Sequence, residues 1–329
     1  MMSKLKIKTN KYWDEAPVGR GWITVITPTY NRAHLLKRTF DSIKNQTFTS
    51  WEYIVIDDGS TDDTDKVTAD FMNAENHPIM YIKKENGGVH TARNLGFKNA
   101  RGELLINLDS DDELTDDALA VFFNTWNAIP EDKKSSYREV VAQCMDENGS
   151  RIGAPFPDDI NRLSWEDARK TCYSLKAEHI GCFVTQVMKE NLFPEPDGIT
   201  FLTEGILWRK LDQRYRSYYI NNMVRVYHRE KGDHISEALC ETPRKKTLQN
   251  IQNSYWESCT FLNEWDIYKE GHSYMMAVVR HLIMRHILKE NGSDFEKKYR
   301  LTRTQDKAVS AILWVPTYPL AWLYKRMKM

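Results

Sequence analysis

Leu104-Leu105-Ile106-Asn107-Leu108-Asp109-Ser110-Asp111-Asp112 decides the fold: a short apolar run of strand length ends without a break in three carboxylates within four residues. Working outward, from Trp22 to Asp112 short β-branched runs alternate with longer helical patterns, the signature of βαβ units and a mostly parallel sheet. Strands are predicted at Trp22–Thr27, Tyr53–Ile56, Ile79–Ile82 and Glu103–Leu108. Each is followed by polar residues: Pro28-Thr29-Tyr30-Asn31, Asp57-Asp58-Gly59-Ser60, Glu85-Asn86-Gly87-Gly88 and Asp109-Ser110-Asp111-Asp112. Open α/β sheets bind ligands at that carboxyl edge.

Between the strands, Leu36, Phe40 and Ile43 fall on one helical stripe, and Ser60 or Thr61 is placed to cap the following helix. Further on, helices are expected near Asp116–Trp126 and Thr203–Leu211. Strands are expected near Tyr137–Met145, His179–Phe183 and Ser217–Tyr227. From about Pro243 the periodicity is helical and charged, including Tyr274–Leu288.

At 329 residues, with 41% hydrophobic and 28% charged positions, the chain can bury one sizeable core and carry a smaller second unit. Lysine plus arginine equals aspartate plus glutamate at 46 each, so no global field argues for nucleic acid. Local charge must carry the function. The five cysteines are scattered and Met1–Asn10 holds no apolar run, which predicts free thiols, no signal peptide and a cytoplasmic protein.

Carboxylates at a strand end suit a hard divalent cation, which bridges readily to diphosphate oxygens. Alone, Asp109–Asp112 is equally well an acidic turn before a helix. In Asp57-Asp58-Gly59-Ser60-Thr61-Asp62, a carboxylate can accept the imide N–H of a uracil ring; by itself a strand-to-helix turn is commoner. In Glu85-Asn86-Gly87-Gly88-Val89-His90-Thr91-Ala92-Arg93-Asn94, two glycines open a helix and set Arg93 one turn in, near phosphate or acidic groups; a lone Gly-Gly is more often just a turn.

Together and in this order, with Ile26-Thr27-Pro28-Thr29-Tyr30-Asn31-Arg32, these motifs closely resemble glycosyltransferase family 2 of the bacterial surface-polysaccharide type. The resemblance is dense over Ile23–Asp112. It is looser through Phe193–Gly198, Phe201–Trp208 and Gly232–Ser236, and does not reach the helical C-terminal part. It implies an α/β fold of the nucleotide-diphospho-sugar transferase (GT-A) type, a mostly parallel mixed sheet flanked by helices. The expected plan is an N-terminal extension at 1–21, the catalytic domain at 22–240 and a helical region at 241–329.

By resemblance, Pro28, Tyr30, Asp58, Asn86, Gly88, Arg93 and Asp109 hold a nucleotide-sugar donor, with Tyr30 stacked on the base. Asp109 and Asp111 hold Mn²⁺ or Mg²⁺, with His234, or else His228, as a further ligand. Glu204 is the expected general base of an inverting transfer from a UDP-sugar to a saccharide or lipid-linked saccharide, in polysaccharide and cell-surface glycan synthesis. Many family members have Glu-Asp where this chain has Glu204-Gly205, leaving one carboxylate. His281 and His286, five apart, are read as structural. Two other readings are a sugar nucleotidyltransferase, for which a glycine-rich basic loop at the first strand is missing, and a catalytically degenerate saccharide-binding scaffold.

The tail Ala311–Tyr324 is apolar and aromatic, is broken by Pro316 and Pro319, and is followed by Lys325-Arg326-Met327-Lys328. It is shorter than the roughly 20 residues of a membrane span. Trp and Tyr beside basic residues suit a membrane interface, placing the enzyme at the inner face of the cell membrane. A helix docked on the protein or on another subunit of a homo-oligomer is the competing reading.

Overall fold

The structure, a computed structural model, describes residues 5–16, 18–175, 177–228, 244–264, 271–290, 292, 294–302, 306–311, 313, 314, 317, 319 and 321. The chain forms two compact units, one of residues 1–195 with 207–228, the other of 196–206 with 229–329. This division gives 196–206 to the helical unit, whereas the sequence reading kept that stretch in the catalytic domain.

In the first unit, β1 (Lys6–Thr9), β2 (Ile23–Thr29), β3 (Trp51–Asp57), β4 (Ile79–Lys83), β5 (Leu104–Asn107), β6 (Glu113–Leu114), β7 (Tyr137–Met145), β8 (His179–Val184) and β9 (Arg216–Val226) form one sheet in the order β1-β4-β3-β2-β5-β8-β7-β9-β6. β2 pairs in parallel with both β3 and β5, and β3 in parallel with β4. Beyond β5, β8 runs antiparallel and the sheet becomes mixed.

Both strand parities are apolar because both faces are covered. Ile23, Val25, Tyr53, Val55, Leu104 and Ile106 pack with Leu36, Phe40 and Ile43 of α1 (Ala33–Lys44), Met72 of α2 (Thr64–Ala74) and Leu119 and Phe122 of α4 (Ala118–Ala128). The alternate residues Ile26, Ile54, Ile56, Met80, Ile82 and Leu105 pack with Ala92 and Phe97 of α3 (Val89–Asn99). The chain steps from β2 to β3 to β4 in one direction, then returns through α3 to the far side of β2. That reversal puts α3 opposite α1 and α2.

Three local expectations are corrected. Neither Ser60 nor Thr61 caps α2; Asp62 Oδ1 accepts from the Thr64 N–H at 3.2 Å instead, and Ser60 Oγ accepts from the Asn31 N–H at 2.9 Å. The extension at 1–21 contributes β1, an edge strand antiparallel to β4. All four of its residues are exposed, so no burial alternation marked it. Helices Trp165–Ser174 and Thr185–Glu190 were also unforeseen; in the first, Ser164 Oγ accepts from the Asp167 N–H at 3.2 Å.

The second unit is built on helices Arg244–Glu264 and Gly271–Glu290. Ile251, Tyr255, Cys259 and Leu262 form a stripe that packs with Val278, Leu282, Ile287 and Leu288. His281 and His286 are buried, as structural histidines would be. His281 Nδ1 lies 3.4 Å from Ser258 Oγ, and His286 Nε2 lies 2.8 Å from the Trp314 carbonyl oxygen. The Trp314 ring stacks on His286 with centroids 3.5 Å apart. The described part of the aromatic tail therefore packs on its own unit. Among the described residues no helix is long and apolar enough to cross a membrane. Cys144, Cys172, Cys182 and Cys259 are free thiols, and Cys240 lies outside the described residues.

Two stability predictions follow from this packing. At Gly96 in α3 an added Cβ would lie 2.5 Å from Ile26 Cγ2 and 3.0 Å from Ile56 Cδ1. Gly96→Ala gains helix propensity of about 1 kcal/mol, yet overpacking of about 1–3 kcal/mol should outweigh it, lowering the urea midpoint. Burial pushes the pKa of His281 down to about 3, so its neutral form is favoured by folding. Its stabilising contribution is complete above about pH 6.5 and is lost as pH falls toward about 3. Urea unfolding at pH 7 and pH 5 should show a smaller acid-induced loss in His281→Leu than in the parent.

Candidate functional site

Parallel register brings the ends of β2 to β5 to one edge: Thr29 pairs with Asp57, Asp57 with Lys83, and Ile26 with Asn107. Pro28 is buried as the penultimate residue of β2, and the loop that follows carries Tyr30, which is 48% exposed despite its size. Asn31 adopts a left-handed φ of 53°. Its side-chain oxygen accepts from the Thr61 N–H at 2.7 Å, while Asp62 Oδ2 accepts from the Ala33 N–H at 2.9 Å. These bonds stitch the loops after β2 and β3 together.

Asp57 and Asp58 divide their work. Asp57 is fully buried, accepting from the Ser60 N–H and the Tyr81 hydroxyl, each at 2.6 Å. Asp58 accepts from the Gly87 and Gly88 N–H groups at 3.0 and 2.8 Å and pairs with the Lys84 ammonium. It thereby fixes the turn that holds Asn86. Gly59 allows this approach: its φ is +88°, and a Cβ there would lie 2.9 Å from the Asn86 nitrogen.

Arg93 is 6% exposed on α3 and donates from Nη2 to Asp109 Oδ1 at 3.0 Å. With its amide oxygen turned toward the guanidinium, Asn107 accepts from Arg93 Nε at 3.0 Å. Asp111 pairs with Arg32, and Arg38 Nη2 donates to the Asp111 carbonyl oxygen at 2.6 Å. Thr39 Oγ1 donates to the Asp112 carbonyl oxygen at 2.9 Å, so α1 clasps the acidic loop. Asp112 is buried; burial pushes its carboxyl up to about 7 against the attraction of Arg225, and Asp109 and Asp111 add to the rise.

For the expected cation, Asp109 and Asp111 have the right chemistry, and a hard cation completes its shell with water and phosphate oxygens. Both carboxylates are held by arginine. Among the described residues no group of three or more His, Cys, Asp or Glu side chains is placed to hold a metal. His228, the alternative ligand, has Nε2 at 2.5 Å from Glu113 Oε1 and Nδ1 at 2.8 Å from Glu147 Oε1. His234 lies outside the described residues. Glu204 belongs to the second unit, half-buried immediately before helix Gly205–Leu211. Thr203 beside it donates through N–H and hydroxyl to Glu257 Oε1, at 3.0 and 2.9 Å.

Two residues of this edge escaped the sequence reading. His90, in the first turn of α3, is 1% exposed with neither ring nitrogen hydrogen-bonded among the described residues; burial lowers its pKa. Its position two residues after Gly88 was the available signal. Asn94 donates to the Phe193 carbonyl oxygen at 2.8 Å and to Glu195 Oε1 at 2.7 Å, anchoring a distant segment.

A parallel half whose carboxyl edge carries these acidic and arginine side chains, continued by antiparallel strands, defines the GT-A class of glycosyltransferase fold. Residues 24–143 match the family described as glycosyl transferase family 2. The chain is 29% identical over 218 residues to the GalNAc(5)-diNAcBac-PP-undecaprenol beta-1,3-glucosyltransferase of Campylobacter jejuni, covering 65% of this chain and 67% of that protein. It is 39% identical over 101 residues to glycosyltransferase GlyA of Streptococcus pneumoniae, covering 31% of this chain and only 14% of that protein. Among solved structures, S. aureus TarS 1-349 in complex with UDP-GlcNAc is similar at a TM-score of 0.51 and 19% identity, covering 90% and 79% of the two chains. The mannosyltransferase PcManGT from Pyrobaculum calidifontis, in complex with GDP-Man and Mn2+, is similar at 0.53 and 16%, covering 93% and 83%. Over residues 24–143 the chain is thus similar to glycosyl transferase family 2, and the relatives named here are glycosyltransferases.

Asp58→Ala strips three donors of their acceptor in a largely buried setting. Urea unfolding should show a loss of about 3–5 kcal/mol, as for breaking other buried pairs. Tyr30→Ala, at an exposed position, should stay within about 0.5 kcal/mol of the parent.

Proposed function

We propose that the chain transfers a sugar from a uridine-diphosphate donor, with inversion, to a saccharide carried on a lipid diphosphate, at the inner face of the cell membrane. The observation that carries this reading is the carboxyl edge of the sheet, where the loop after β2 presents exposed Tyr30 and where Asp109 and Asp111 are each paired with an arginine. The Tyr30 ring offers a stacking surface for a base. Asp58 keeps acceptor capacity beyond its three donors, since a carboxylate has about four lone-pair sites, and takes the imide N–H. Arg32 and Arg93 present guanidinium donors matched to phosphate oxygens. Pro28, Asn86 and Gly88 shape the walls of the nucleotide slot.

Asp109 and Asp111 would hold Mn²⁺ or Mg²⁺, whose charge offsets that developing on the departing nucleotide diphosphate. Glu204 takes the proton of the acceptor hydroxyl as it attacks the anomeric carbon and the bond to the diphosphate breaks. Support for the donor class comes from UDP-GlcNAc and GDP-Man in the TarS and PcManGT structures. The named acceptor of the Campylobacter relative supports a lipid-linked one.

The test is a panel of nucleotide sugars with Mn²⁺ and a lipid-diphosphate saccharide, following nucleotide diphosphate release. One UDP-sugar should be turned over, with Asp111→Ala and Glu204→Gln each slower by about 10²-fold or more. Pyrophosphate release instead would point to nucleotidyl transfer. Full activity in Glu204→Gln would remove it as the base.

A further inference from the structure

We propose that the helical unit carries a second ligand site, one that takes a phosphate or diphosphate group. It is a cavity of about 430 Å³ within that unit, and its lining includes Tyr255, His281, Arg285, Arg300, Lys307 and Ser310. That volume falls in the range of roughly 300–1,000 Å³ usual for small-molecule sites. All the residues that line it belong to the helical unit, and none belongs to the donor-binding edge.

Charge gives the ligand's class. Three of the lining residues are cationic and none is a carboxylate. Oxyanions with several acceptor oxygens match such a set of N–H donors best.

A second observation points the same way. Ser310 is 4% exposed, lines the cavity, and its Oγ has no hydrogen-bond partner among the described residues. A buried hydroxyl left unsatisfied is costly, and a ligand oxygen in the cavity would satisfy it. The wall behind is pre-set. His281 stacks on Tyr255 with ring centroids 4.7 Å apart, and the Arg285 guanidinium lies 4.9 Å from the Trp314 ring centroid. The apolar Leu301 and Ala311 on the same lining leave room for whatever group the phosphate carries.

The shared chemistry is a phosphate group, and its source is either a lipid diphosphate or a soluble phosphate compound. Titration calorimetry of the full chain with inorganic pyrophosphate, in buffer containing EDTA, tests it. The parent should bind, more weakly as salt rises. Arg300→Gln/Lys307→Gln should bind about tenfold or more weakly, with unchanged far-UV circular dichroism. Ser310→Ala, which removes no charge, should also weaken binding. No binding by the parent, or equal affinity in the double variant, overturns the proposal. Phosphatidylcholine vesicles with and without a polyprenyl diphosphate separate the sources: selective retention, displaced by pyrophosphate and lost in the double variant, identifies the lipid. Pyrophosphate binding without selective retention identifies a soluble compound.

Discussion

Parallel pairing of β2 with strands on both its sides is the constraint on which the rest depends. Parallel neighbours cannot be joined by tight turns, so each connection must cross a face of the sheet. Because the order runs β4-β3-β2-β5, the crossovers part company at β2, and both faces are covered. Covered faces require apolar residues at both strand parities, which explains Tyr53-Ile54-Val55-Ile56 and Leu104-Leu105-Ile106. Polar chemistry is then expelled to the strand ends. Four loops meet at one edge as a geometric consequence of burying the strands themselves.

What gathers there would repel itself without compensation. Asp57, Asp58, Asp109, Asp111 and Asp112 come from two loops, and each has a cationic neighbour: Lys83, Lys84, Arg93, Arg32 and Arg225 respectively. Charges withdrawn from water are tolerated when paired and hydrogen-bonded. Glu52 shows the purely structural version at the other end of β3, accepting from Thr24, the Arg101 backbone and the Arg101 guanidinium with no exposure at all. The difference at the carboxyl edge is access. Asp109 retains 42% side-chain exposure and Tyr30, directly after β2 on the same edge, is exposed, so this pairing can be exchanged for a ligand.

How much of the site was legible follows from how local each signal is. Asp109–Asp112, Asp57-Asp58 and the Gly87-Gly88 turn each sit directly behind an apolar strand, and strand ends are read from neighbours in sequence. Arg93 was legible too, since one helical turn from the glycines fixes its direction. Ser60 was misread because its hydroxyl goes to Asn31, a residue 29 positions away. His90 was passed over because its burial depends on the packing of α3, and β1 because an exposed edge strand leaves no hydropathy trace.

The sequence by itself determined the βαβ order, the acidic and glycine-bearing strand ends and the family resemblance over residues 24–143, because periodicity and motif spacing are properties of short segments. Only the tertiary structure decided which partner each charge takes: Asp58 with Lys84 and the Gly87-Gly88 turn, Asp111 with Arg32, Asp112 with Arg225. It also decided that three cations of the helical unit share one cavity. Those pairings join residues far apart in the chain, and their energies depend on distance and burial, which exist only once the segments have packed.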